Sequence, residues 1–183
     1  GSCETVPTRL GRLTLPTGLV DTLAPLVRQI GRLTEELHTI DARVKTQVAG
    51  DAVVARLQTV PGVGLIVATT FRAFIDTRER FADASQVSAA IGLVPHEDSS
   101  AERRHRGHIT KAGPRELRSL FVQAAWVCWR SPRSATLRAW VERLAARRGK
   151  RIAVVALARR LSRILFAIWR DGTTFEVTRL ATA

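Results

Sequence analysis

Two adjacent serines, Ser99 and Ser100, stand just ahead of four cations, Arg103, Arg104, Arg106 and Lys111, in the stretch 92–113, GLVPHEDSSAERRHRGHITKAG. A serine hydroxyl is a weak nucleophile at neutral pH unless a base or a nearby charge activates it. Cationic side chains gathered around a phosphate stabilise the charge that builds up as it is attacked. These residue types at this spacing read chemically as a phosphate-binding loop or as a serine that attacks a phosphodiester. A third reading involves no chemistry: a flexible basic loop whose serines cap a turn. His105 and His108 are candidates to bind phosphate or to act as general acid or base for serine. With His96 they make no usual zinc pattern, because no cysteine or acid completes one, and no metal site is assigned. Glu97 and Asp98 form one weak cluster, whereas a self-contained two-metal nuclease needs several converging carboxylates. A Walker loop, a dinucleotide fingerprint and an HExxH sequence are all absent.

The charge around this stretch favours a polyanion. Residues 100–170 hold 18 Lys and Arg against 3 Asp and Glu, while the whole chain carries a net +13, so the remainder is slightly acidic. Charge concentrated in this way points most simply to nucleic acid. No apolar run is long enough to span a membrane, and no signal peptide is visible, so no membrane partner is assigned. Cys128 sits in the apolar run AAWVCW and reads as a buried thiol in a reducing cytosol, which gives a cytoplasmic protein. Gly1-Ser2 looks like the remnant of a cleaved tag, and Cys3 falls beside it.

The elements that must position these residues are helical. Leu, Ala and Arg dominate, Tyr is absent and aromatics are 5% of the chain, which favours an all-α fold. Leu19, Leu23, Leu26, Ile30, Leu33, Leu37, Ile40 and Val44 are spaced 4, 3, 4, 3, 4, 3, 4, an a/d heptad seam. The spacing predicts a coiled coil, with Leu26, Ile30, Leu33, Leu37, Ile40 and Val44 as its oligomerisation residues; a helix lying on the domain's own core is the alternative. Pro25 either starts or kinks that helix. The expected organisation is a flexible N-terminus over 1–15, the coiled-coil helix over 16–49, a compact multi-helix domain over 50–172 and a tail over 173–183.

Within that domain a short helix over 51–58 leads into Val60-Pro61-Gly62-Val63-Gly64 and a second helical run. This is a helix-hairpin-helix pattern whose glycines allow positive φ, and whose backbone N–H groups at Gly62 and Gly64 offer a phosphate site. The alternative is a turn needed only for packing. Asp83 or Ser85 caps a helix that ends at Gly92, and Pro114 opens the next as its first residue. That helix is expected to face inward through Leu117, Leu120, Phe121, Ala124 and Val127. A further helix carries Leu137, Trp140, Val141 and Leu144. The last, over 151–170, turns Leu157, Leu161, Ile164, Leu165 and Ile168 inward and sets Arg159, Arg163 and Arg170 on another arc. That arginine row is either a solvated face or a nucleic-acid contact made by Arg159 and Arg163. Trp126, Trp129, Trp140 and Trp169 read as core packing.

The order of these motifs carries a resemblance. Val60-Pro61-Gly62-Val63-Gly64, then Gly92-Leu93-Val94-Pro95, then Ser99-Ser100, then Gly107-His108-Ile109-Thr110-Lys111-Ala112-Gly113, then Leu117-Arg118 before an Ala-rich helix, resembles one family. It is similar to the C-terminal transposase domain of the insertion-sequence one-ten (IS-one-ten) family over about residues 55–172, with the heptads similar to that family's coiled coil. The resemblance implies a two-part DNA recombinase. An N-terminal RuvC-like domain would hold Mg2+ on an Asp-Glu-Asp-Asp site, and the C-terminal domain would supply a serine that forms a 5′-phosphoserine link to DNA. It also implies a guide (bridge) RNA partner, and pairing of protomers as dimers or tetramers so that a serine from one chain meets a metal domain from another. The family's serine follows the Gly-Leu-x-Pro turn and is usually followed by Gly. That position here is Ser100, with Ala101 in place of Gly and Ser99 as the alternative one residue away. Arg103, Arg104, Arg106 and Lys111 would hold the scissile phosphate. No counterpart of the RuvC-like domain is found in these 183 residues, so the fragment itself needs no cofactor and is expected to be inactive alone. A non-catalytic helix-hairpin-helix nucleic-acid-binding and dimerisation module is the competing reading.

Overall fold

Helix formation in the N-terminal unit, Gly1–Ala49, follows the heptad periodicity. The structure is a computed structural model that describes residues 5–100 and 103–176, with backbone only for 97–100 and 103–107. A short helix α1, Val6–Leu10, lies within the segment read as a flexible N-terminus. Helix α2 then runs from Thr17 to Gln47, 31 residues, passing through Pro25 without ending there. The reading in which Pro25 starts the helix is therefore corrected. None of its residues is buried, and Leu26, Leu33, Leu37 and Ile40 are 61%, 47%, 60% and 53% exposed. Helical stability in proteins comes mainly from packing an apolar face. Here the seam is formed and left open to water.

The second unit, Gly50–Ala183, is a helical domain built around one long helix. Asp51 accepts hydrogen bonds from Val53 N (2.8 Å) and Val54 N (3.1 Å), capping α3, Ala52–Leu57. Helix α4, Leu65–Ile75, buries Val67, Ala68, Phe71 and Ile75. Asp83 caps α5, Ala84–Ile91, and Gly92 ends it in the left-handed conformation (φ 77°), both as the sequence indicates. Helices α6, Arg115–Arg130, and α7, Ala135–Arg148, follow, separated by a 3-10 turn over Pro132–Ser134. The last helix α8, Lys150–Asp171, packs against α3, α5, α6 and α7 and buries nine residues. Leu157, Leu161 and Leu165 are each fully buried, and burial of a Leu contributes about 1.5–3 kcal/mol. Phe71 meets Phe121 edge-on at 5.6 Å and Trp169 at 6.3 Å, joining α4, α6 and α8.

The fold is thus all-α, with one departure. Residues 95–100 and 103–109, read as a loop, form an antiparallel pair of strands, β1, Pro95–Ser100, and β2, Arg103–Ile109. Three smaller corrections concern local geometry. Pro114 is the cap of α6 rather than its first helical residue. Val127 points outward, 54% exposed, while Ala125 and Cys128 take the inner face. None of the four tryptophans is fully buried; Trp126 and Trp129 stack on each other at 5.4 Å. Among the described residues no helix is long and apolar enough to cross a membrane.

Candidate nucleic-acid interface

The serine–arginine hairpin grows out of a backbone clamp. Where α5 ends, Gly92 O accepts from Lys111 N (3.1 Å) and Val94 O from Thr110 N (2.9 Å), closing the base of the hairpin. A Cβ on Gly92 would lie 2.6 Å from Ala112 N, and one on Gly113 would collide with Ala90 O and approach Ile91 Cα to 2.8 Å. Two backbone segments therefore meet with no room for side chains, which is why glycine stands at both places. Arg118 fastens the same point from α6: its Nη1 donates to Gly113 O (2.8 Å) and Ile91 O (3.2 Å). Lys111 adopts a positive φ of 56° there, and its side chain is exposed.

From this base the register sets Ser99 opposite Arg104 and Ser100 opposite Arg103, with Asp98 opposite His105 and Glu97 opposite Arg106. Both candidate serines thus stand beside candidate phosphate-binding arginines at the level of the backbone. The pairing slips between Pro95 and Glu97, leaving one extra residue on β2, an irregularity that bends a strand and strengthens its twist. The side chains of Ser99, Ser100, Arg103, Arg104 and Arg106 lie outside the described part of the structure, as does Ala101.

The other candidate residues are elsewhere. Gly62 has a φ of 85°, and a Cβ there would run into Ala124 O and lie 2.7 Å from Cys128 N, so the turn presses against the C-terminal half of α6. Gly64 is different: it caps α4 in an extended conformation (φ −89°, ψ −177°) with open space around it, which corrects the reading of a positive φ at both glycines. The hairpin joins the start of α6 and the turn abuts residues 124–128, about 14–20 Å further along at 1.5 Å per residue. The two motifs are not one site.

Arg159 and Arg163 line a groove of about 670 Å³ on α8 together with Arg160, Arg170, Trp140 and the returning segment Thr173–Glu176. Phe175 N donates to Thr59 Oγ1 (2.9 Å), tying that segment down. The Arg160 guanidinium lies 4.8 Å from the Trp140 ring centroid. Burial, reinforced by the neighbouring Arg163 charge, pushes the Arg160 pKa down. Sequence reasoning missed Arg160, Trp140 and Arg118 as members of sites. Arg118 stood inside a quoted motif, but its role depends on two carbonyls distant in sequence. Cys128 is buried, and burial raises its thiol pKa while a hydrogen bond with Ser134 opposes the rise. Among the described residues no three His, Cys, Asp or Glu side chains gather as a metal site.

Comparison with known proteins matches this chain to a family. A family model described as "Transposase IS116/IS110/IS902 family" matches residues 54–140. Those residues run from α3 through the Gly62 turn and the β-hairpin into α7. The chain belongs to the IS116/IS110/IS902 transposase family. This family member is 31% identical to the transposase for insertion sequence element IS1328 of Yersinia enterocolitica, over 88% of this chain and 49% of that protein. It is 32% identical to a "Probable family 20 transposase" of Pseudomonas aeruginosa, over 96% of this chain and 57% of that protein. Against the transposase for IS1111A of Coxiella burnetii the identity is 33%, over 66% of this chain and 34% of that protein. The transposase-family chain spans about half the length of the first two relatives.

Proposed function

We propose that this chain is the serine-bearing half of a DNA transposase, with Ser100 as nucleophile and Ser99 as the one-residue alternative. The observation that carries the reading is the hairpin register, in which the serine pair faces Arg103 and Arg104 across the strands, on a base held by Gly92, Gly113 and Arg118. In the proposed step the serine Oγ gives up its proton and forms an ester bond to a DNA phosphorus. The bond from phosphorus to the 3′ oxygen breaks, and that oxygen leaves and takes up a proton. The product is a 5′-phosphoserine link and a free 3′ hydroxyl. Arg103, Arg104, Arg106 and Lys111 bind the phosphate as charge accumulates on it. His105 or His108 accepts the serine proton, or a group outside this chain does so.

The Mg2+ that the family resemblance implies would be held by the Asp-Glu-Asp-Asp set of a RuvC-like domain and would stabilise charge on the attacked phosphate. DNA and a guide RNA are the proposed partners, favoured by the basic surplus of residues 100–170. The exposed seam of α2 pairs with the same seam of another copy, because an open apolar stripe at heptad spacing gains most by burying itself against its equivalent.

The test uses full-length transposase with its flanking RNA and a DNA substrate, analysed for a DNA-linked peptide by mass spectrometry. An adduct on Ser100 that disappears in Ser100→Ala and persists in Ser99→Ala is the expected result. If binding is intact and no adduct forms in any variant, the chain is a nucleic-acid-binding and dimerisation module.

A further inference from the structure

The groove on α8 lies outside the serine chemistry, and its lining is unusual. Four arginines, Arg159, Arg160, Arg163 and Arg170, share it with only two acids, Asp171 and Glu176. Asp171 is engaged by Arg170 at 2.7 Å. Arg160 is half-buried against the Trp140 ring, and Arg163, also of charge +1, follows one helical turn later. Like charges at that spacing repel, and partial burial makes the repulsion worse. An arrangement that disfavours its own charge is relieved by an anion. Apart from Thr173 and Thr174 the rest of the lining is apolar, including Ile164, Ile168 and Phe175.

We infer that this groove binds a phosphodiester of single-stranded nucleic acid, with Arg160 and Arg163 on the phosphate and the apolar wall beside a base. The inference rests on the nucleic-acid-binding reading above and names a second contact for it. A positively charged trough with an aromatic side chain is the usual form of a single-strand site. At about 670 Å³ it falls in the range of about 300–1,000 Å³ that suits small ligands, which admits an unstacked nucleotide and excludes a stacked duplex. A duplex would instead rest on the outer basic surface.

The experiment measures binding of this chain to a fluorescein-labelled thymidine oligonucleotide, the matching uridine oligonucleotide and a DNA duplex, by anisotropy over a range of salt. Arg160→Gln/Arg163→Gln is compared with Arg147→Gln/Arg148→Gln, an equal loss of charge at the exposed end of α7. The groove variant should bind the single strand at least about tenfold more weakly, and its salt slope should fall by about 0.7 for the one lost phosphate contact. Duplex affinity should stay within about twofold. A larger loss with the uridine strand supports the groove and makes RNA its occupant; a larger loss with thymidine does the same for DNA. Arg163→Glu, at an exposed position, repeats the test where the double variant folds poorly. Single-strand affinity equal to that of the Arg147/Arg148 control overturns the inference, and so does an equal loss on duplex. A chain that binds none of the three probes overturns the nucleic-acid reading as well, whereas wild-type binding with an indifferent groove removes only the groove.

Discussion

Gly62→Ala separates a packing turn from a phosphate-binding turn. The residue holds a φ of 85°, where an L side chain costs about 1–2 kcal/mol. The new methyl would collide with Ala124 O and stand 2.7 Å from Cys128 N and 3.0 Å from Cys128 Cβ. All of these are backbone atoms or a Cβ in the C-terminal half of α6, so no flexible side chain can swing aside. Moving the helix to a contact of about 3.5 Å requires a shift approaching 1 Å, and forced overpacking costs about 1–3 kcal/mol. Together the loss is about 2–5 kcal/mol. At a urea slope of about 2 kcal/mol/M the unfolding midpoint should fall by about 1–2.5 M. Tryptophan fluorescence is the right probe, because all four tryptophans lie in the unit from Gly50 onward. Gly64→Ala is the matched control: nothing lies within 4 Å and φ is negative, so the cost should stay below about 1 kcal/mol. An unchanged midpoint for Gly62→Ala, or an equal fall for Gly64→Ala, would refute the packing argument. Normal stability with lost nucleic-acid affinity would return Gly62 to the binding surface.

Two further outcomes follow from the same geometry. Leu33→Asp/Leu37→Asp should lower the sedimentation mass to that of a monomer without loss of tryptophan-monitored stability, because neither leucine is buried within the chain; an unchanged mass would remove the seam from the assembly. Arg118→Ala removes the donor to both Ile91 O and Gly113 O, and a hydrogen bond from a charged donor contributes about 1.5–3 kcal/mol. Hydrogen exchange at Thr110 and Lys111, whose amides close the hairpin base, should therefore quicken by about 10–100-fold, and unchanged rates would show that Arg118 does not hold it.

The helices were legible because their signals are local. The cap at Asp83 and the left-handed stop at Gly92 are each set by a few neighbouring residues, and the α2 seam by its own repeat. The hairpin was not legible, since PHEDSS and RRHRGHI carry no apolar alternation to mark a strand or fix a register. Val127 was misplaced for a different reason. The inner face of α6 uses Ala124, Ala125 and Cys128, small residues that let the Gly62 turn come close, so side-chain size was a false guide to burial. The family motifs were readable in order, but the roles of Gly92, Gly113 and Arg118 emerge only once two distant backbone segments touch. The α8 groove needs Trp140 from one helix, Arg160 from another and a segment that returns past the last, which no local pattern can announce.

The core itself holds no chemistry among the described residues. Its buried polar side chains are Ser88, Ser134 and Ser162. Ser88 and Ser162 share a hydrogen bond at 3.0 Å and each bonds a helix carbonyl, while Ser134 bonds Ser131 O and Cys128 O. These hydroxyls are bound to structure and cannot serve as nucleophiles. The proposed chemistry acts from the hairpin instead. A charge developing on phosphate is stabilised strongly only where water is excluded and the donors are already in place. The clamp at Gly92 and Gly113 fixes where the hairpin starts, which gives placement. In the proposed complex the DNA and a second protein chain, paired through α2, exclude that water. On this argument the covalent adduct should form in the assembled complex and be absent when this chain alone meets DNA. An adduct formed by the isolated chain would show that the hairpin carries its own enclosure.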